Sequence, residues 1–222
     1  MKGKLYGIGV GPGDPELLTL KAKRLIEECD IVAVPVKKEG EDSVALNIAK
    51  GAVKIPEEKI QEIVFTMAKD KTKREACRQA AAEEIMKLLD EGKSIAMLAL
   101  GDIGIYSTYA YVHKRLLKEG YDVEMVSGIP SFCAGASKAG ISIVEGNEGF
   151  GVIPSLKGID QVEKTLGVFD NLVIMKVGSH VKEEYDRVIG EFDKLLAKQG
   201  YEREGHYYKV NEENNDTIIF FC

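Results

Sequence analysis

The chain has 222 residues, 45% of them apolar, with 36 acidic against 30 basic side chains and a formal net charge of −6. That length can bury a real core, as one large domain or two small ones, and the acidic balance argues against general nucleic-acid binding. No apolar run is long enough to span a bilayer, the N-terminus lacks a signal peptide's layout, and four scattered cysteines (Cys29, Cys77, Cys133, Cys222) show no metal-ligand pairing, so a reduced cytoplasmic protein is expected.

Residues 4–10 read as a buried strand that runs into Gly7-Ile8-Gly9-Val10-Gly11-Pro12-Gly13-Asp14-Pro15. Glycines there let a ligand approach the backbone, Asp14 is placed to cap the next helix, and Pro15 suits its first position. The loop is neither a dinucleotide fingerprint, whose third glycine would fall on Pro12 or Asp14, nor a Walker loop, since no Gly-Lys-Ser/Thr follows. Residues 16–29 read as a helix, 31–34 as a strand ended by Pro35, and Ser43 as the cap of a short helix stopping at Gly51. Residues 60–65 form a third strand. A long helix over 71–90 carries a stripe of Ala76, Ala80, Ile85, Leu88 and Leu89.

The continuous apolar run 95–100 predicts a central parallel strand covered on both faces. It ends in a second break, Leu100-Gly101-Asp102-Ile103-Gly104-Ile105-Tyr106-Ser107-Thr108. Asp102 then stands at the carboxyl edge, where open sheets bind ligands, or caps the following helix, or does both. Tyr106, Tyr109 and Tyr111 suit packing with wet hydroxyls, or contact with a ligand. A helix over 106–118, a strand over 123–126 and a third break, Ser127-Gly128-Ile129-Pro130-Ser131-Phe132-Cys133, follow. A helix then covers 131–138. Further on come a strand over 172–177, a fourth break at Gly178-Ser179-His180, a helix over 183–198, and an antiparallel hairpin of 206–210 with 217–221. The reading is an α/β chain with a mostly parallel N-terminal domain, residues 1–120, and a mixed C-terminal domain, residues 121–222. The chain stops directly after an apolar strand, which leaves room for a short missing C-terminal piece.

Taken together and in order, the breaks resemble those of the tetrapyrrole methylases, the class III S-adenosylmethionine methyltransferases, over essentially the whole chain. Gly9 to Pro15 with Glu16 to Ala22 is similar to the family's opening signature; Leu100-Gly101-Asp102 and Ser127 to Ser131 are similar to its second and third motifs. Ile105-Tyr106-Ser107-Thr108-Tyr109 and Ser131-Phe132-Cys133-Ala134 resemble the branch acting at carbon 20 of precorrin-2 or cobalt-factor II in cobalamin synthesis. One departure is Ile103, where the family has proline. The resemblance implies two α/β domains with S-adenosylmethionine in the cleft between them, in a homodimer. It implies cofactor contacts at Pro12, Gly101, Asp102, Ile105, Tyr106, Ser131, Phe132 and Val177, with no metal and no membrane or nucleic-acid partner. The general base and the cations that hold the substrate's carboxylates stay unassigned. Alternatives are a sister methyltransferase acting on another ring carbon, a nucleotide-binding oxidoreductase, or a non-catalytic S-adenosylmethionine sensor.

Overall fold

The computed structural model describes residues 2–66, 70–154, 168–175, 194, 197, 201–204, 207–210 and 219–221. It divides into two compact units, Met1–Ser131 and Phe132–Cys222.

The first unit is built on β1 (Lys4–Gly9), β2 (Ile31–Val36), β3 (Ile60–Val64), β4 (Ile95–Ala99) and β5 (Asp122–Val126). The sheet order is β3-β2-β4-β1-β5, and all four pairings are parallel. The apolar run of β4 is central, as its composition predicts. Its residues alternate between two cores: Ala96 and Leu98 join one, Ile95, Met97 and Ala99 the other. The strand at 122–126 adds to the edge beside β1, so the first unit runs past Gly120 to Ser131 rather than ending where the sequence suggested.

Four helices cover the two faces: α1 (Leu20–Glu28), α2 (Val44–Ala52), α3 (Lys71–Asp90) and α4 (Tyr109–Lys118). α1 and α2 pack on one core, α3 and α4 on the other. The helix expected at 16–29 is split. Asp14 caps a short 3-10 turn, Pro15–Leu17, through the Glu16 amide (2.9 Å), and Thr19 then caps α1 through the Ala22 amide (3.2 Å). β2 continues through Pro35, because past Ala33 only β3 pairs with it and a missing amide faces an open side. α3 has the expected ends, but its buried stripe is Ala81, Ala82, Ile85 and Leu89; Ala76 and Ala80 are exposed.

The second unit holds α5 (Ser131–Ala139), whose first residue belongs to the first unit, and a sheet of β6 (Phe150–Pro154), β7 (Asn171–Met175), β8 (Tyr201–Glu204), β9 (Tyr207–Val210) and β10 (Ile219–Phe221). The order β6-β7-β10-β9-β8 is mixed: β6, β7 and β10 are parallel, while β9 runs antiparallel to β10 and β8. The expected pairing of 206–210 with 217–221 is therefore present as β9 with β10. Leu172, Val173 and Ile174 are buried. Asn171 is buried too, and its side-chain amide donates to Glu148 Oε2 (3.0 Å). Val177, Gly178 to His180, His206, the turn at 212–216 and most of 183–198 lie outside the described residues.

Candidate functional site

The strand order creates a particular point on the first sheet. From β1 the chain leaves past β4 toward β2; from β4 it leaves past β1 toward β5. The two strands are neighbours, and their connections depart to opposite faces. Loops at such a switch point open away from each other and leave ligand space at the carboxyl edge.

Here the first two glycine breaks meet. The Val10 amide donates to the Ala99 carbonyl (2.9 Å), and Gly11 and Gly101 then exchange both amide–carbonyl hydrogen bonds (3.1 and 2.8 Å). The third break joins them at Gly128. A Cβ on Gly9 would lie 2.7 Å from both the Gly101 carbonyl oxygen and the Gly128 nitrogen. One on Gly128 would overlap the same carbonyl and the Gly9 backbone. Three loops are thus packed backbone on backbone, which only glycine permits. Gly101 itself has φ of +72°, and a Cβ there would meet only the Ile129 carbonyl oxygen, at 3.9 Å.

Asp102 ties the loops together. Its Oδ1 accepts from the Gly104 amide (2.8 Å) and its Oδ2 from the Gly128 amide (2.9 Å). The carboxylate is therefore engaged by the protein's own backbone, and neither reading of Asp102 as a helix cap or a ligand acceptor describes these two bonds. Ile103, in the position where the family has proline, is 2% exposed and is buried in the α3/α4 core. It anchors the loop from below, and Gly104 closes the turn through Asp102. Beyond it Ile105 is half-buried, and Tyr106 is 43% exposed with φ of +48°. Leu100, at the end of the central strand, is 53% exposed.

Tyr109 supports the site from beneath. Its ring occupies the space over Gly7 where a side chain would stand, its hydroxyl donates to the Glu124 carbonyl (3.4 Å), and His113 Nδ1 lies 3.2 Å from that hydroxyl. Burial pushes its phenol well above the ordinary tyrosine range, so it stays neutral. Pro12 is half-buried in the first loop. Ser131 is the first residue of α5, and Phe132 is buried.

So Pro12, Gly101, Asp102, Ile105 and Tyr106 belong to loops at one carboxyl edge. Ser131 follows the third of those loops directly. The Gly101 backbone is uncovered apart from the Ile129 carbonyl oxygen, and Leu100 and Tyr106, close to it in the chain, are exposed. The family model for tetrapyrrole (corrin/porphyrin) methylases matches residues 4–204. The chain belongs to that family. S-adenosylmethionine is its cofactor, and the open backbone shelf suits it.

Two relatives are informative. The chain is 38% identical to a protein of Methanocaldococcus jannaschii named "Probable cobalt-precorrin-2 C(20)-methyltransferase", over 97% of this chain and 93% of the relative. It is 30% identical to a cobalt-precorrin-2 C(20)-methyltransferase of Salmonella typhimurium, over 80% of this chain and 74% of that one. Among solved structures, a cobalt precorrin-4 methyltransferase shares 26% identity with a TM-score of 0.50, over 68% of this chain and 56% of that one. No helix among the described residues is long and apolar enough to cross a membrane.

Proposed function

We propose that this chain transfers a methyl group from S-adenosylmethionine to carbon 20 of precorrin-2 or cobalt-factor II, in cobalamin synthesis. The observation that carries the reading is identity along nearly the whole chain to a relative named for that reaction. The three glycine loops packed at the switch point support it.

The sulfonium of the bound cofactor supplies an electrophilic methyl group. The chain's part is positioning: bringing that methyl within reach of one ring carbon and keeping water away. Pro12, Gly101, Ile105, Tyr106, Ser131, Phe132 and Val177 are proposed to line the cofactor. Asp102 is proposed to act at one remove, by holding the second and third loops at the spacing the cofactor needs. Tyr109 and Ile103 keep that edge from sinking into the core. The enzyme is further proposed to work as a homodimer in the cytoplasm.

Calorimetry tests the cofactor half of the reading. S-adenosylhomocysteine is expected to bind and NAD not to. Binding of NAD with none of S-adenosylhomocysteine would refute it.

A further inference from the structure

The first half of α3 carries charges that do not serve the helix. Lys71, Lys73 and Arg74 occupy its first turn, which has no acidic residue, and Arg78 follows one turn on. Cations at a helix N-terminus oppose the macrodipole and weaken the helix. The capping carboxylate of Asp70 is occupied by the Thr72 and Lys73 amides (2.8 and 3.2 Å).

Arg74 is half-buried. Its Nε is out of reach of water without an acceptor, and the guanidinium makes no hydrogen bond or ion pair among the described residues. Arg78 is held flat on the Tyr111 ring of α4, 3.4 Å from its centroid, with Glu75 3.4 Å from its Nη1. Both helices run against the strands, so both N-termini lie at the sheet's carboxyl edge. The Arg78–Tyr111 contact sets their register. One turn back on α3, about 5.4 Å nearer that edge, stands Arg74; α4 begins at Tyr109, and Ser107 lies in the loop just before it. Ser107 belongs to the same loop as Asp102, Ile105 and Tyr106.

Arg115 also has a buried Nε without an acceptor. It lies one turn past Tyr111, away from the edge. Place, rather than the lack of a partner, therefore singles out Arg74.

We infer that Arg74, backed by the Arg78–Tyr111 stack, binds a carboxylate side chain of the tetrapyrrole and helps select a polycarboxylate substrate. The inference rests on the function proposed above. A guanidinium presents a planar fork that matches a carboxylate through two parallel hydrogen bonds, and partial burial strengthens them. A chain of net charge −6 needs such a local cationic place to hold a polyanion.

The test uses the full chain, saturated with S-adenosylhomocysteine, and two unreactive probes: an octacarboxylate porphyrin and a tetracarboxylate porphyrin, followed by fluorescence quenching. The parent should prefer the octacarboxylate. Arg74→Gln should weaken octacarboxylate binding about tenfold or more. It should raise KM for the tetrapyrrole with kcat kept, leave S-adenosylhomocysteine affinity unchanged, and hold or raise the melting temperature. Arg115→Gln should leave the preference intact. A parent that binds S-adenosylhomocysteine but shows no preference for the octacarboxylate sinks the tetrapyrrole reading and this inference with it. A discriminating parent whose Arg74→Gln variant discriminates equally overturns the inference alone. So does a variant that loses cofactor affinity and melting temperature together, since that marks a structural role.

Discussion

At the scale of single residues, Asp102 and the glycines around it decide the site. Asp102→Asn keeps one acceptor but turns an NH₂ group toward the Gly104 or the Gly128 amide, so two donors face each other. Leaving such a donor unpaired costs about 1–3 kcal/mol. The expected result is a lower melting temperature, a KM for S-adenosylmethionine raised about tenfold, and most of kcat recovered at saturating cofactor. A kcat loss that cofactor cannot rescue, together with a titrating step missing from the pH profile, would make Asp102 a proton carrier instead. Gly101→Val forces a branched side chain into φ of +72°, at roughly 1–2 kcal/mol, and places it on the open shelf. It should still fold, with S-adenosylhomocysteine binding lost. A variant that binds like the parent would move the site elsewhere. The loops could be found in the sequence because glycine, proline and aspartate mark them directly. The carboxylate's true partner could not: Gly128 lies 26 residues away, and only the sheet order brings it near.

At the scale of elements, the first sheet is stapled at the foot of its strands. Asp30, just before β2, accepts from the Ser94 amide (2.8 Å) and hydroxyl (2.7 Å), just before β4; Ser94 Oγ in turn accepts from the Asp30 amide (3.0 Å). Ser94's side-chain and backbone hydrogen bonds hold the Asp30 carboxyl below its ordinary value of 3.8. A carboxyl lowered in the folded state contributes stability above its unfolded pKa, and that contribution is lost as pH falls through the folded value. Ser94→Ala should therefore cost about 1 kcal/mol near neutrality, and the gap to the parent should narrow below pH 4. Urea melts at several pH values measure it; a gap constant with pH would deny the carboxylate its part. β4 was easy to read from its unbroken apolar run, and so were the limits of α3. The phase of α3 was not, because alanine stands at 76 and 80 as well as at 81 and 82, and burial alone separates them. β6 escaped notice because Gly151 and Pro154 fall within its five residues, and β8 because its run Tyr-Glu-Arg-Glu is mostly charged. Gly151 is explained by the Phe169 ring, which takes the place of its side chain.

At the scale of the whole molecule, an all-parallel sheet with a switch point between β1 and β4 gathers three loops at one carboxyl edge, the edge proposed to bind the cofactor. Ligand that binds only the folded chain must stabilise it: S-adenosylhomocysteine at one hundred times its dissociation constant should add about 2.7 kcal/mol. A melting temperature indifferent to it would contradict the site. The proposed reaction is tested most directly by where the methyl group goes. Purified protein, S-adenosylmethionine carrying a ¹³C methyl, and precorrin-2 or cobalt-factor II are incubated together, and the product is read by carbon NMR. One labelled methyl is expected, at carbon 20, with S-adenosylhomocysteine formed in equal amount. Label at a different ring carbon, or no transfer by a protein that binds S-adenosylhomocysteine, would contradict it.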